Sequence, residues 1–98
     1  MAYDNRGLAW HKKGEYDRAI EDYDRAIELF EKAGDRKNVA AAFYNRASAA
    51  ALKGDKPIML ESLRKAVELD PVYKKKAEED EDFKKFRDDE EFKRLVGG

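Results

Sequence analysis

Displacing the sequence against itself by forty positions superimposes Asn5 on Asn45, Arg6 on Arg46, Ala9 on Ala49, Lys13 on Lys53 and Gly14 on Gly54. Beyond the glycines the register holds, with Ala26 on Ala66, Glu28 on Glu68 and Leu29 on Leu69, and with Ile20/Leu60, Arg25/Lys65 and Ile27/Val67 as conservative pairs. Self-similarity at one fixed period of this size is produced by stacked supersecondary units, because each unit lacks enough apolar surface to close a core alone.

Within each unit, apolar and small residues recur at helical spacing on both sides of the glycine, which predicts a helix–turn–helix. The first pair is expected at about residues 2–13 and 16–33, the second at about 37–53 and 56–69. Gly14-Glu15 and Gly54-Asp55 supply the breaks: glycine accepts the left-handed conformation that closes a helix, and the acid suits the next N-terminus. Gly34 is the natural stop of the second helix. Pro57 fits a first helical turn, and Asp70-Pro71 ends the second pair. The remaining stretch carries Phe83, Phe86, Phe92 and Leu95 at three-residue spacings, which predicts short amphipathic helices. The expectation is an all-α single domain over 1–98, with repeat 1 at about 2–36, repeat 2 at about 37–71 and a C-terminal capping segment at 72–98.

Composition narrows function by exclusion. Charged residues are 44% of the chain, but 21 Lys and Arg nearly cancel 22 Asp and Glu, so no field of one sign draws the chain to nucleic acid. Without cysteine there is no disulfide, thiolate metal site or thiol nucleophile. No apolar run is long enough to span a bilayer and the first residues lack the pattern of a signal peptide, so a soluble cytoplasmic protein with no membrane partner is expected.

The pattern resembles the tetratricopeptide repeat, with its W-x2-L-G-x2-Y, A-x3-F and closing A and P. Tyr3, Gly7, Trp10, Ala19, Tyr23 and Ala26 fall on signature positions in the first unit, and Phe43, Ala47, Leu63, Ala66 and Pro71 in the second. Arg6 and Arg46 replace a leucine, Ala50 a tyrosine, Met59 a small alanine, and Glu31 the terminal proline. The resemblance implies two antiparallel helix hairpins of an α-α superhelix and a non-catalytic protein–protein interaction module that takes a peptide or partner helix on its concave face. By signature position that groove would be lined by Asp4, Asn5, Leu8, His11 and Lys12 from the first unit, and by Tyr44, Asn45, Ser48, Ala51 and Leu52 from the second. Asn5 and Asn45 would hydrogen-bond a peptide backbone, with Leu8 and Tyr44 as apolar contacts. The carboxylate clamp of cochaperone members is not reproduced: Asn45 fits, but Asp4 stands where a lysine is needed and Leu8 where an asparagine is needed.

Other residues yield bland readings. His11 has no motif around it that marks a catalytic site, and Ser48 lacks a nucleophile elbow and reads as a packing residue. The acidic runs 78–82 and 88–91 lack the glycine and alternating ligands of a calcium loop and read as solvated helix faces. No metal or cofactor is therefore expected. Arg6 and Arg46 are expected to pair internally with acids such as Asp22 or Glu61. Val72, Tyr73 and Ala77 are expected to take the place of a third unit's first helix, with the phenylalanines folding back over apolar surface. An incomplete cap would favour a homodimer, and the alternative to a peptide-binding module is a self-associating or designed repeat scaffold with no natural ligand.

Overall fold

The computed structural model describes residues 2–97. Among these the chain forms α1 (Ala2–Lys12), α2 (Tyr16–Lys32), α3 (Arg36–Lys53), α4 (Lys56–Leu69), α5 (Val72–Glu79), a 3-10 segment (Glu81–Phe86) and α6 (Glu90–Gly97), with no strand. No helix among the described residues is long and apolar enough to cross a membrane.

Three left-handed glycines make the turns. Gly14, Gly34 and Gly54 have φ of 81°, 69° and 89°. In each case the following amide reaches back over the turn: Glu15 N to Trp10 O at 2.9 Å, Asp35 N to Phe30 O at 2.9 Å and Asp55 N to Ala50 O at 2.8 Å. These bonds satisfy carbonyls that the helix end would leave unpaired. Asp35 and Asp55 then cap the next helices, accepting from Asn38 N at 3.2 Å and Ile58 N at 3.1 Å. Glu15 makes no such side-chain cap.

The amphipathic α2 buries Ala19, Ile20, Tyr23, Ala26, Ile27 and Phe30, an i, i+3/i+4 stripe. In α3 the pattern is different: Val39, Ala40, Ala42, Tyr44, Ala47, Ser48, Ala49, Ala50 and Ala51 are buried almost all round the helix. It is the central element, packed against α2 on one side and α4 on another, with the 3-10 segment covering a third. Alanine is what allows three neighbours to approach one helix closely.

Within each hairpin the small signature residue meets a large one. A Cβ added at Gly7 would lie 2.8 Å from Tyr23 Cε1 and 2.9 Å from its Cδ1, so only glycine fits beneath that ring. At the forty-shifted site the pair is Ala47 and Leu63, both fully buried.

After Pro71 the chain starts a further helix and abandons it. Helix α5 lasts eight residues, and Asp80 then turns extended (φ −83°, ψ 121°) while its carboxylate accepts from Asp82 N at 2.9 Å. That short loop of hydrogen bonding competes with helix continuation. Asp89 restarts the helix by accepting from Glu91 N and Phe92 N at 3.0 and 3.1 Å. Phe83 and Phe92 are buried in the main core, their rings stacked at 5.7 Å, and Ala77 is fully buried. Val72, Tyr73 and Ala77 all lie on α5; Val72 stays 52% exposed, while Tyr73 packs half-buried against the core.

Candidate functional site

Side chains of α1 and α3 face one another across a cleft. Leu8, His11 and Lys12 come from α1; Tyr44, Asn45, Ser48 and Leu52 come from α3. Together they line a pocket of about 350 Å³, with Asp80 and Asp82 as its third wall. Asp4 and Asn5 are not among the lining residues, since they lie one turn earlier on α1. Ala51, grouped with the groove by signature position, is fully buried and faces the core.

The third wall was not legible in the sequence. The acidic run around Asp80 was expected to be a solvated helix face, but the break after Glu79 turns two of its carboxylates onto α3. Tyr44 donates its hydroxyl to Asp80 Oδ2 at 2.7 Å, and Ser48 donates to Asp82 Oδ2 at 2.5 Å. Tyr44 is 9% exposed, stacked on Tyr73 at 4.9 Å and tilted against Phe83 at 5.7 Å. Burial, followed by the hydrogen bond to Asp80, pushes its phenol well above the ordinary tyrosine range. Ser48 is buried as expected of a packing residue, and its hydroxyl also ties the C-terminal segment to α3. The available sequence signal was the Asp-x-Asp spacing ahead of an apolar phenylalanine, which suits an aspartate turn better than a continuing helix.

His11 sits at the edge of the pocket. Its Nδ1 is 3.3 Å from the Tyr23 hydroxyl and its Nε2 is 3.5 Å from Asp82 Oδ2. The Tyr23 phenol is raised well above its ordinary range by burial, with smaller contributions from Asp4 and Asp82. Asn45 is half-buried in the pocket, and among the described residues its side-chain amide has no partner.

The two repeated arginines lie outside this pocket and pair internally. Arg6 grips Asp22 with two bonds of 2.8 Å, Nε to Oδ2 and Nη2 to Oδ1. The Asp22 carboxyl is buried, and the hydrogen bonding from Arg6 holds it below the usual carboxylate range against the opposing effect of burial. Arg46 donates from Nη1 to Glu61 Oε1 at 3.0 Å and to Ser62 Oγ at 2.8 Å. Its Nε lies 2.7 Å from Asp24 Oδ1, an ion pair without an aligned hydrogen bond.

Comparison with known families accords with this architecture. A family model described as tetratricopeptide repeat matches residues 2–32, and a second with the same description matches residues 40–73. The chain belongs to the tetratricopeptide-repeat family. The two matched segments correspond to the α1–α2 hairpin and to α3–α4 with the start of α5. No curated protein and no solved structure matches the chain. Tetratricopeptide repeats generally mediate protein–protein interaction. Residues 33–39, which form the turn after α2 and the first turn of α3, lie between the two matched segments, where the forty-residue spacing exceeds the family's thirty-four.

Proposed function

We propose that this chain is a non-catalytic interaction module that binds a peptide or a partner helix in the concave pocket between α1 and α3. The observation that carries this reading is the Asn45 amide, half-buried in a cleft flanked by Leu8 and Leu52 and with no partner among the described residues. The amide is open to the cleft and free to pair, and a peptide backbone supplies both a donor and an acceptor for it. Leu8, 39% exposed, is the apolar contact beside it. Tyr44 contributes a ring edge and not a free hydroxyl, because Asp80 holds that hydroxyl.

The same cleft contains a serine, an aspartate and a histidine, in an order that does not suit nucleophilic catalysis. Asp82 stands between Ser48 and His11, at 2.5 and 3.5 Å. An acyl-transfer triad needs the imidazole between the hydroxyl and the carboxylate, so that it takes the hydroxyl proton. Here the serine proton is directed at a carboxylate and the cluster acts as a clasp.

The test is selection from a displayed random-peptide library against the whole chain, followed by rebinding to Asn45→Ala and Leu8→Asp. Both positions are off the core, so the variants fold. Peptides that lose at least about tenfold in affinity on both variants support the concave pocket. Selected peptides indifferent to both substitutions overturn it.

A further inference from the structure

The internal repeat supplies a second, independent interface. Where the first hairpin meets the second, α2 runs antiparallel to α3 and two carboxylates on α2 meet two cations on α3. Asp24 lies 2.7 Å from Arg46 and Asp17 lies 2.5 Å from Lys53. Each pair of residues is seven apart on its own helix, with fully buried Ala50 between the cations and Ile20 between the acids.

Shifted back by forty, the cations of α3 become Arg6 and Lys13 of α1, with Trp10 at the place of Ala50 and Tyr3 at that of Phe43. Among the described residues no helix takes the place on α1 that α2 takes on α3, although Tyr3 and Trp10 are half-buried against the core. The Arg46 side chain is 14% exposed beneath α2, whereas that of Arg6 is 58% exposed. Arg6 keeps the contact within its hairpin, to Asp22 where Arg46 has Ser62, but among the described residues no carboxylate stands at the position equivalent to Asp24. Lys13 lies over the Trp10 ring at 5.6 Å and has no carboxylate partner among the described residues. Arg18 and Arg25, on α2, cover the Trp10 and Tyr3 rings at 4.8 and 5.8 Å and add to the positive charge.

We infer that the α1 face bearing Tyr3, Arg6, Trp10 and Lys13 docks an amphipathic helix of a partner protein, antiparallel to α1, whose two carboxylates stand one heptad apart with an aliphatic residue between them. The interface between α2 and α3 is the internal copy of this contact, and it fixes both the charge and the spacing of the occupant. A second copy of this chain does not fit. Its α2 carboxylates are already engaged by α3, its α4 places Pro57 and Arg64 where Asp17 and Asp24 would be needed, and α1 against α1 sets cation against cation.

Trp10, the only tryptophan, makes this face directly observable. The probe is a stapled helical peptide of residues 15–33, the chain's own acidic helix, titrated into the intact protein while Trp10 fluorescence is followed. A saturable change is expected. Binding should weaken at least about fivefold with the D17N/D24N peptide, with the Lys13→Glu protein and at raised salt. The inference is overturned if no saturable change occurs, or if the neutral peptide binds equally well. It is also overturned if Leu8→Asp abolishes binding while Lys13→Glu does not, which would place the peptide in the concave pocket. A concentration-dependent dimer dispersed by Lys13→Glu would overturn it in favour of a second copy.

Discussion

Replacing Gly7 by alanine puts a methyl group where the ring of Tyr23 already stands, with ring carbons at 2.8 and 2.9 Å. Two effects oppose each other. Alanine in a helix interior gains about 1 kcal/mol over glycine. Overpacking a fully buried ring costs about 1–3 kcal/mol, so the net expectation is a destabilisation of about 1 kcal/mol and a Tm lower by about 4–8 °C. Tyr23→Leu alone should cost about 2 kcal/mol by leaving space above Gly7. The second hairpin already contains the compensated pair, Ala47 with Leu63. The double variant Gly7→Ala/Tyr23→Leu is therefore expected to lie only about 1 kcal/mol below the parent, against about 3 kcal/mol if the effects simply added. Urea unfolding followed by circular dichroism measures this coupling of about 2 kcal/mol, with Tyr23→Phe as the control for the lost hydroxyl contact to His11. Additive costs, or a Gly7→Ala protein more stable than the parent, would refute the view that this helix crossing is set by the small–large pair.

Further outcomes follow from the same contacts. Phe83→Ala, which empties a fully buried site against Tyr44 and Phe92, should cost about 3–5 kcal/mol, and truncation after Pro71 should abolish cooperative melting; an unchanged melt would show that the C-terminal segment is not part of the core. Tyr44→Phe should cost about 1–3 kcal/mol in urea unfolding, because it leaves the ring stack intact and removes only the bond to Asp80. The Asp22 carboxyl is lowered in the folded state, so its contribution is present above the unfolded value of about 4 and is lost as pH falls through the folded value; stability measured against pH should fall on the acid side, with a shallower fall in Asp22→Asn. The Tyr23 and Tyr44 phenols are raised, so their contribution is complete below about pH 10 and is lost above it, and both should ionise together with unfolding in an absorbance titration, not as free phenols.

Much of the scaffold could be read before any coordinates. The period of forty, the three glycines and the i, i+3/i+4 stripe of α2 are local properties: a left-handed turn needs glycine, and one apolar face needs one spacing. The pairing of Arg6 with Asp22 and of Arg46 with Glu61 was also accessible, since a repeated cation near a packed surface requires an acid within helical reach. Signature spacing also grouped Leu8, His11, Lys12, Tyr44, Asn45, Ser48 and Leu52, which line one pocket, with Asp4 and Asn5, which do not.

What the sequence could not reveal depends on contacts between residues far apart in the chain. Asp80 and Asp82 look like solvent-facing acids until the helix break at Asp80 turns them back onto α3, thirty-six residues from Tyr44 and thirty-four from Ser48. Val72 and Tyr73 are adjacent and both apolar in part, yet only the docked angle of α5 decides that Tyr73 packs against the core and Val72 stays outside. Arg6 and Arg46 share a signature position, and only the stacking of α2 on α3 covers one and leaves the other open. Local turn chemistry and periodicity determine the hairpins because they involve neighbours within a few residues. The shape of the pocket and the choice of exposed face are set by packing between elements, where one helix's burial is another helix's surface.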